Sequence, residues 1–329
     1  MRNSAILLAL SSVLVACGGG GGGGAPAASS QVAVATKATL NSANYVAVAQ
    51  EALSSSSYLA DSGSLATGAE TSNTDVLVRF GEAQATQVSS WFANAPALAT
   101  GATVVTTKAC TGGGSLTVTQ NDLNGNGQSD AGDSVSLVAS NCVFQGNTLN
   151  GGLTLTVNAI SGNPSGSTFA AKLTMDFNNL SARSATATST GNGTLVLSLN
   201  ATSPTDKSFS LAASQFKTTS TYGSSTYNRS IESYTVNMAL TASTSTTSAF
   251  GTLTSSAFDS KFVTIDTPVP FVRQLSQPRP ASGQATVTGA NGAMLRLTAL
   301  SSTQVRIELD ADANGSFETT VIKLWSELI

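Results

Sequence analysis

From about Val104 onward, apolar residues fall at every second position. Leu116 and Val118 alternate with Thr117 and Thr119, and Val135, Leu137 and Ala139 alternate with Ser136 and Val138. Leu153, Leu155 and Val157 repeat the pattern, as do Phe169, Ala171, Leu173, Met175 and Phe177. Tyr234, Val236, Met238 and Leu240 follow, then Leu295, Leu297 and Ala299, then Val305, Ile307 and Leu309. A period of two marks half-buried antiparallel strands, here with one apolar face and one Thr/Ser-rich face. Gly-, Asn- and Ser-rich turns separate the runs, which predicts about 12–16 strands of ordinary length. So long a sheet must curl, split or close. The expected fold is mainly β: a large curved or closed antiparallel sheet, or a sandwich, with a small N-terminal helical segment.

The helical segment is residues 37–100. Asn41 or Ser42 is placed to cap a helix running to about Ser54, with Tyr45, Val46, Ala49 and Leu53 on one side. A second helix is expected to start near Asp75, after Ser72, Asn73 or Thr74. Leu77, Phe80, Val88, Trp91 and Phe92 recur at roughly helical spacing, and Gly81 weakens its middle. Their apolar face reads as core packing.

Residues 101–267 form the antiparallel body. Pro268, Pro270, Pro278 and Pro280 then cluster, and proline cannot donate to a strand ladder, so 268–282 is expected to be a crossover rather than a central strand. Residues 283–329 read as a C-terminal β-meander with turns at Asn291-Gly292 and Asn314-Gly315. The pattern leaves open whether this meander is a separate domain or completes the main sheet.

The N-terminus has a different logic. Arg2 is followed by an apolar run from Ala5 to Val15, too short to span a bilayer and fitting the core of a secretory signal. Leu14-Val15-Ala16-Cys17 resembles the lipobox of bacterial lipoproteins. That resemblance covers about the first 20 residues. It implies removal of residues 1–16, acylation of Cys17 by palmitate-like chains and membrane attachment through that lipid. Gly18 stands where an Asp in enterobacterial lipoproteins signals inner-membrane retention, so the resemblance implies the outer membrane. Residues 17–36 are rich in Gly, Ala and Ser and cannot bury enough apolar surface to offset their ordering entropy. They are expected to be a flexible tether with a reach of about 25 Å.

Composition narrows the function. The chain has 15 basic and 18 acidic side chains and no histidine. No basic block occurs, which argues against nucleic-acid binding. Lack of histidine removes Ser-His-Asp and Cys-His mechanisms and the usual zinc ligand set. Of three cysteines, assigning Cys17 to lipid leaves Cys110 and Cys142. An exported chain meets an oxidising compartment, so these two are expected to form a disulfide.

Two loops carry candidate metal chemistry. Counted from Asp122, side-chain oxygens of Asp122, Asn124, Asn126, Gln128, Asp130 and Asp133 fall within a 12-residue loop, with Gly127 at its sixth position. Calcium takes six to eight hard oxygens, and the spacing resembles the EF-hand calcium loop. Asp133 replaces the usual bidentate Glu, and the flanks read as strands. Asp310, Asp312, Asn314, Ser316 and Glu318 repeat the spacing, with Val321 at the last position. Both segments also read as Asx-rich hairpin turns that need no metal.

Enzyme motifs are weak. Ser214-Gln-Phe-Lys217 matches the Ser-x-x-Lys pattern but lies in alternating strand sequence, without its partner motifs. Glu51, Glu70, Glu82, Glu232, Glu308, Glu318 and Glu327 provide carboxylates but no motif that pairs them. Three classes stay open: a non-catalytic structural or interaction module of the cell envelope, a binding or carrier module for an apolar or glycan ligand, and, last, a carboxylate hydrolase. An open apolar cavity on the sheet would mark the carrier, and a packed face the structural module.

Overall fold

The computed structural model describes residues 36–60, 76–87, 92, 103–162 and 167–328. Cys17, the tether up to residue 35, Glu70, Val88, Trp91 and the second helix's expected caps lie outside them. The elements are helices α1 (Tyr45–Ala60) and α2 (Val76–Thr86), then fourteen strands. These are β1 (Thr103–Ala109), β2 (Ser115–Asn121), β3 (Ser134–Phe144), β4 (Asn147–Gly162), β5 (Phe169–Arg183), β6 (Ala187–Ala201) and β7 (Lys207–Tyr222). They continue with β8 (Ser225–Leu240), β9 (Thr244–Ser255), β10 (Lys261–Gln274), β11 (Ser282–Thr288), β12 (Met294–Ala299), β13 (Gln304–Asp310) and β14 (Thr319–Leu324).

All fourteen strands form one antiparallel sheet in chain order, each bonded to its sequence neighbours. The sheet does not close. The strand pattern therefore meets the expectation of a large curved sheet. The C-terminal meander continues the same sheet through β11.

Asn41 starts α1. Its Oδ1 accepts from the Ala43 N–H at 2.9 Å and the Asn44 N–H at 3.2 Å, while Asn44 Oδ1 accepts from the Asn41 N–H at 3.0 Å. This reciprocal box satisfies donors that a helix start leaves free. Tyr45, Val48, Ala49, Ala52 and Leu53 form the buried stripe. The helix runs to Ala60 rather than stopping near Ser54. Ser54 and Ser55 are accommodated because their hydroxyls donate back to the Glu51 carbonyl at 3.0 and 2.8 Å.

α2 is buried on most sides, with Val76, Leu77, Val78, Phe80 and Ala85 in the core. Gly81 lets it approach the sheet: a Cβ there would lie 3.0 Å from the Phe177 ring. Phe80 meets Phe144 edge-on at 5.3 Å, and Phe177 meets Phe216 edge-on at 5.1 Å. α2 packs on β4, β5 and β6. α1 packs on β8 and β9 and also on β12 and β13. Strands this far apart in the order reach one helix because the sheet wraps around it. Helices and inward strand residues form one hydrophobic core from Ala38 to Leu328. Each large side chain buried in it contributes about 1.5–3 kcal/mol.

A line of irregularities crosses the sheet. Asn141 on β3, Asn179 on β5 and Ser233 on β8 have φ of 49°, 47° and 46° at register breaks. Gly151 on β4, Gly193 on β6 and Gly251 on β9 have φ of 104°, 119° and 140°. A Cβ on Gly151 would overlap the Asn179 carbonyl, and one on Gly193 the Gln215 carbonyl. Asn150 Oδ1 accepts from the Asn141 N–H at 2.9 Å, and Asn192 Oδ1 from the Asn179 N–H at 2.8 Å. These side chains serve backbone donors that the bulges remove from the ladder. Bulged strands bend and twist more strongly, which lets one long sheet curve.

The proline-rich stretch departs from expectation. Pro268 and Pro270 lie inside β10, an interior strand between β9 and β11, and not in a crossover. The strand accommodates them by bulging. Its register slips between Val263 and Phe271 against β9, and between Asp266 and Val272 against β11. Thr267 fills the broken ladder: its hydroxyl accepts from the Ala249 N–H at 3.0 Å and donates to the Ala249 carbonyl at 2.8 Å. Only 275–281 is a connection.

Candidate functional site

The Asp122–Asp133 loop joins β2 to β3, whose register pairs Leu116 with Ala139 and Asn121 with Ser134. At the opposite end of that hairpin, Cys110 and Cys142 form a disulfide. It ties the turn after β1 to β3.

Inside the loop, each carboxylate has its own N–H donors. Asp122 accepts from the Gly125 N–H at 2.7 Å and the Gly127 N–H at 2.8 Å. Asp133 accepts from the Leu123 N–H at 2.9 Å and the Asp130 N–H at 2.7 Å. Asp130 accepts from the Asn124 and Asn126 amides at 2.8 and 2.6 Å, and these bonds hold its carboxyl below the usual carboxylate range. Gly125, Gly127 and Gly132 have positive φ, as the tight path requires. Asn126 Oδ1 accepts from the Gln128 N–H at 2.7 Å. The six expected ligand residues are thus gathered in one loop, but Asp122, Asp130 and Asp133 are served separately.

The second loop converges more tightly. Asp310, Asp312 and Glu318 offer carboxylate oxygens within 4.8 Å of one another, the one such group of three among the described residues. Asp310 is buried at the end of β13, while Asp312 and Glu318 are exposed. Asp310 accepts from the Gly315 N–H at 2.9 Å, and Glu318 from the Ala311 N–H at 2.9 Å. Asn314 Oδ1 accepts from the Ser316 N–H at 2.7 Å, so Asn314 and Ser316 shape the turn. Sequence spacing ranked this loop second because Val321 occupies its last position. Of its five candidates, the fold brings the carboxylates of Asp310, Asp312 and Glu318 together. In a strictly sequential meander, turns after even- and odd-numbered strands lie at opposite ends of the sheet. The two loops therefore sit at opposite ends and near opposite edges, so neither completes the other.

Three of the remaining candidate carboxylates, Glu308, Glu327 and Glu232, have structural partners. Glu308 binds Arg296 through two bonds of 2.8 and 2.9 Å, and Arg306 approaches it at 3.2 Å. Arg296 also lies 3.9 Å over the Phe317 ring. Glu327 accepts from the Leu324 N–H at 2.7 Å and pairs with Lys323 at 3.0 Å. Glu232 accepts from the Gln215 amide at 3.1 Å. Ser214 and Lys217 lie on β7, where no helix opens.

The alternation alone did not reveal an organised outer face. One row runs across nine strands: Val105, Thr119, Ser136, Thr154, Asp176, Thr194, Gln215, Glu232 and Thr252. Ser136 and Thr154 hydroxyls meet at 2.7 Å within it. The repeated Asn-Gly-x-Leu at 150–153 and 192–195 was the sequence signal for the adjacent bulge line. Comparison of the chain with protein-family models, curated proteins and solved structures found no match.

Proposed function

We propose that the chain is a lipid-anchored cell-envelope protein whose β body is a non-catalytic structural or interaction module. The observation that carries this reading is the packed inner face. Among the described residues, α1 and α2 cover the apolar side of the sheet within one core. A carrier for an apolar ligand would use that face as its cavity, so the structural reading is preferred. The carboxylates above are engaged in pairs and caps, which favours it over hydrolysis.

The anchor rests on Leu14-Val15-Ala16-Cys17, together with the disulfide, which leaves Cys17 as the third cysteine. Calcium at Asp310, Asp312 and Glu318 is a stiffener of the β13–β14 hairpin in this reading, and the Asp122 loop is a second candidate. A lipid-labelling experiment tests the anchor. The full chain, expressed in bacteria with labelled palmitate, should carry label and sediment with membranes, and Cys17→Ala should lose both. A soluble, unlabelled wild type would overturn the reading.

A further inference from the structure

A cleft of about 320 Å³ lies on the outer face, over the ends of β6–β9, and is lined by no residue of either Asp/Asn loop. Ser198, Ser210, Asn237 and Ser248 form one cross-strand row in it. Asn200 and Thr246 lie in the next row, with Ser208 and Ala239 between them. Pro270, carried on the β10 bulge, bounds the cleft on the β9 side. The wall is fixed because Thr267 pins that bulge to Ala249.

Several polar groups elsewhere on the same face pair with one another, though not all do: Thr119, Thr156 and Thr252 make no side-chain hydrogen bond to another described residue. Ser136 bonds Thr154 at 2.7 Å, Thr174 bonds Asn158 at 2.8 Å, and Thr219 bonds Asn228 at 2.9 Å. The side chains of Ser198, Asn200, Ser210, Asn237, Thr246 and Ser248 make no hydrogen bond to another described group. Among the described residues, then, these hydroxyls and carboxamides line a concave site without a side-chain hydrogen-bond partner. The volume falls within the range of small-ligand pockets, about 300–1,000 Å³.

The lining contains no acid or base. Lys172 continues the first row on β5, beyond the lining. A ligand matched to this surface is neutral and offers many hydroxyls in alternation with C–H faces, the latter to rest on Pro270 and Ala239. We propose that the cleft is a binding subsite for a neutral carbohydrate chain. This is independent of the lipid anchor and of calcium.

Titration calorimetry of the full chain with maltohexaose, cellohexaose and chitohexaose tests it. At least one should bind saturably at millimolar concentration or below. Asn237→Ala should weaken that binding about tenfold, the usual effect of losing one hydrogen bond together with its desolvation. Ala239→Trp should abolish it by filling the cleft, and Thr156→Trp, on the same face but outside it, should leave it unchanged. All three substitutions are on outward positions, and an unchanged melting midpoint checks folding. Three outcomes overturn the proposal: no binding of any of the three oligosaccharides, binding undiminished in both Ala239→Trp and Asn237→Ala, or binding only of polygalacturonate that salt removes.

Discussion

Arg229 Nε on β8 donates to Glu51 Oε1 on α1 at 2.9 Å, joining residues 178 positions apart. Ser255 on β9 donates to the same oxygen at 2.8 Å. Burial pushes the Glu51 carboxyl up, but the Arg229 bond, the Arg229 charge and the Ser255 bond together hold it below its ordinary 4.5. A folded-state value below the unfolded one stabilises above the unfolded value, and that stability is lost as pH falls through the folded value. Glu51→Gln should cost about 1–3 kcal/mol at neutral pH, because the half-buried Arg229 loses its partner. Wild type should lose stability below pH 4.5, and the variant's penalty should shrink there. Urea melts at neutral and acidic pH check this. An equal penalty at both would refute the assignment.

Gly193 has φ of 119° and sits against the Gln215 carbonyl. Gly193→Val should therefore destabilise by more than about 2 kcal/mol, from backbone strain and overlap together. Gly223 also has positive φ, 58°, but has nothing within 4 Å of a would-be Cβ. Gly223→Ala should cost less, about 1 kcal/mol. Comparable costs in denaturant melts would mean that the bulge line does not shape the sheet.

Thr267→Val keeps the shape of the β10 bulge but removes the hydroxyl that serves the Ala249 N–H and carbonyl. A loss of about 1–3 kcal/mol is expected for leaving such groups unserved. Hydrogen exchange at Ala249 should accelerate in the variant, and an unchanged rate would show that another group takes over.

Reducing Cys110–Cys142, or replacing both with Ser, frees a loop of about 33 residues and should cost roughly 3–4 kcal/mol by the chain-entropy argument. Thermal melts with and without reductant measure it. The effect should vanish in the double variant, where reductant has nothing to break.

Calcium in excess over its dissociation constant should raise the melting midpoint relative to chelator, by a few degrees for each kcal/mol of linkage. Asp310→Asn should remove most of that rise, and Asp122→Asn little of it. An unchanged wild-type midpoint at millimolar calcium would eliminate both loops.

Alternation by itself located β2, β3, β4, β5, β8, β12 and β13 and their buried faces, because side-chain direction in a strand depends only on parity. The cysteine count pointed to the pairing of Cys110 with Cys142, because the lipobox resemblance set Cys17 aside and left two. Asn41 was legible as a cap because capping acts within one turn. Other features were decided only by tertiary structure, because they depend on groups brought together across strands. Pro268 and Pro270 read as a break until Thr267 and Ala249 repaired the ladder around them. Glu318 was one of five candidates read from spacing, and only the β13–β14 turn singled it out together with Asp310 and Asp312. Whether the sheet closes is a property of its summed twist, its bulges and what fills it. No local period encodes that. Asn141, Asn179 and Ser233 set the bend, α1 and α2 occupy the inner face, and the polar rows become a surface only once fourteen strands lie in register.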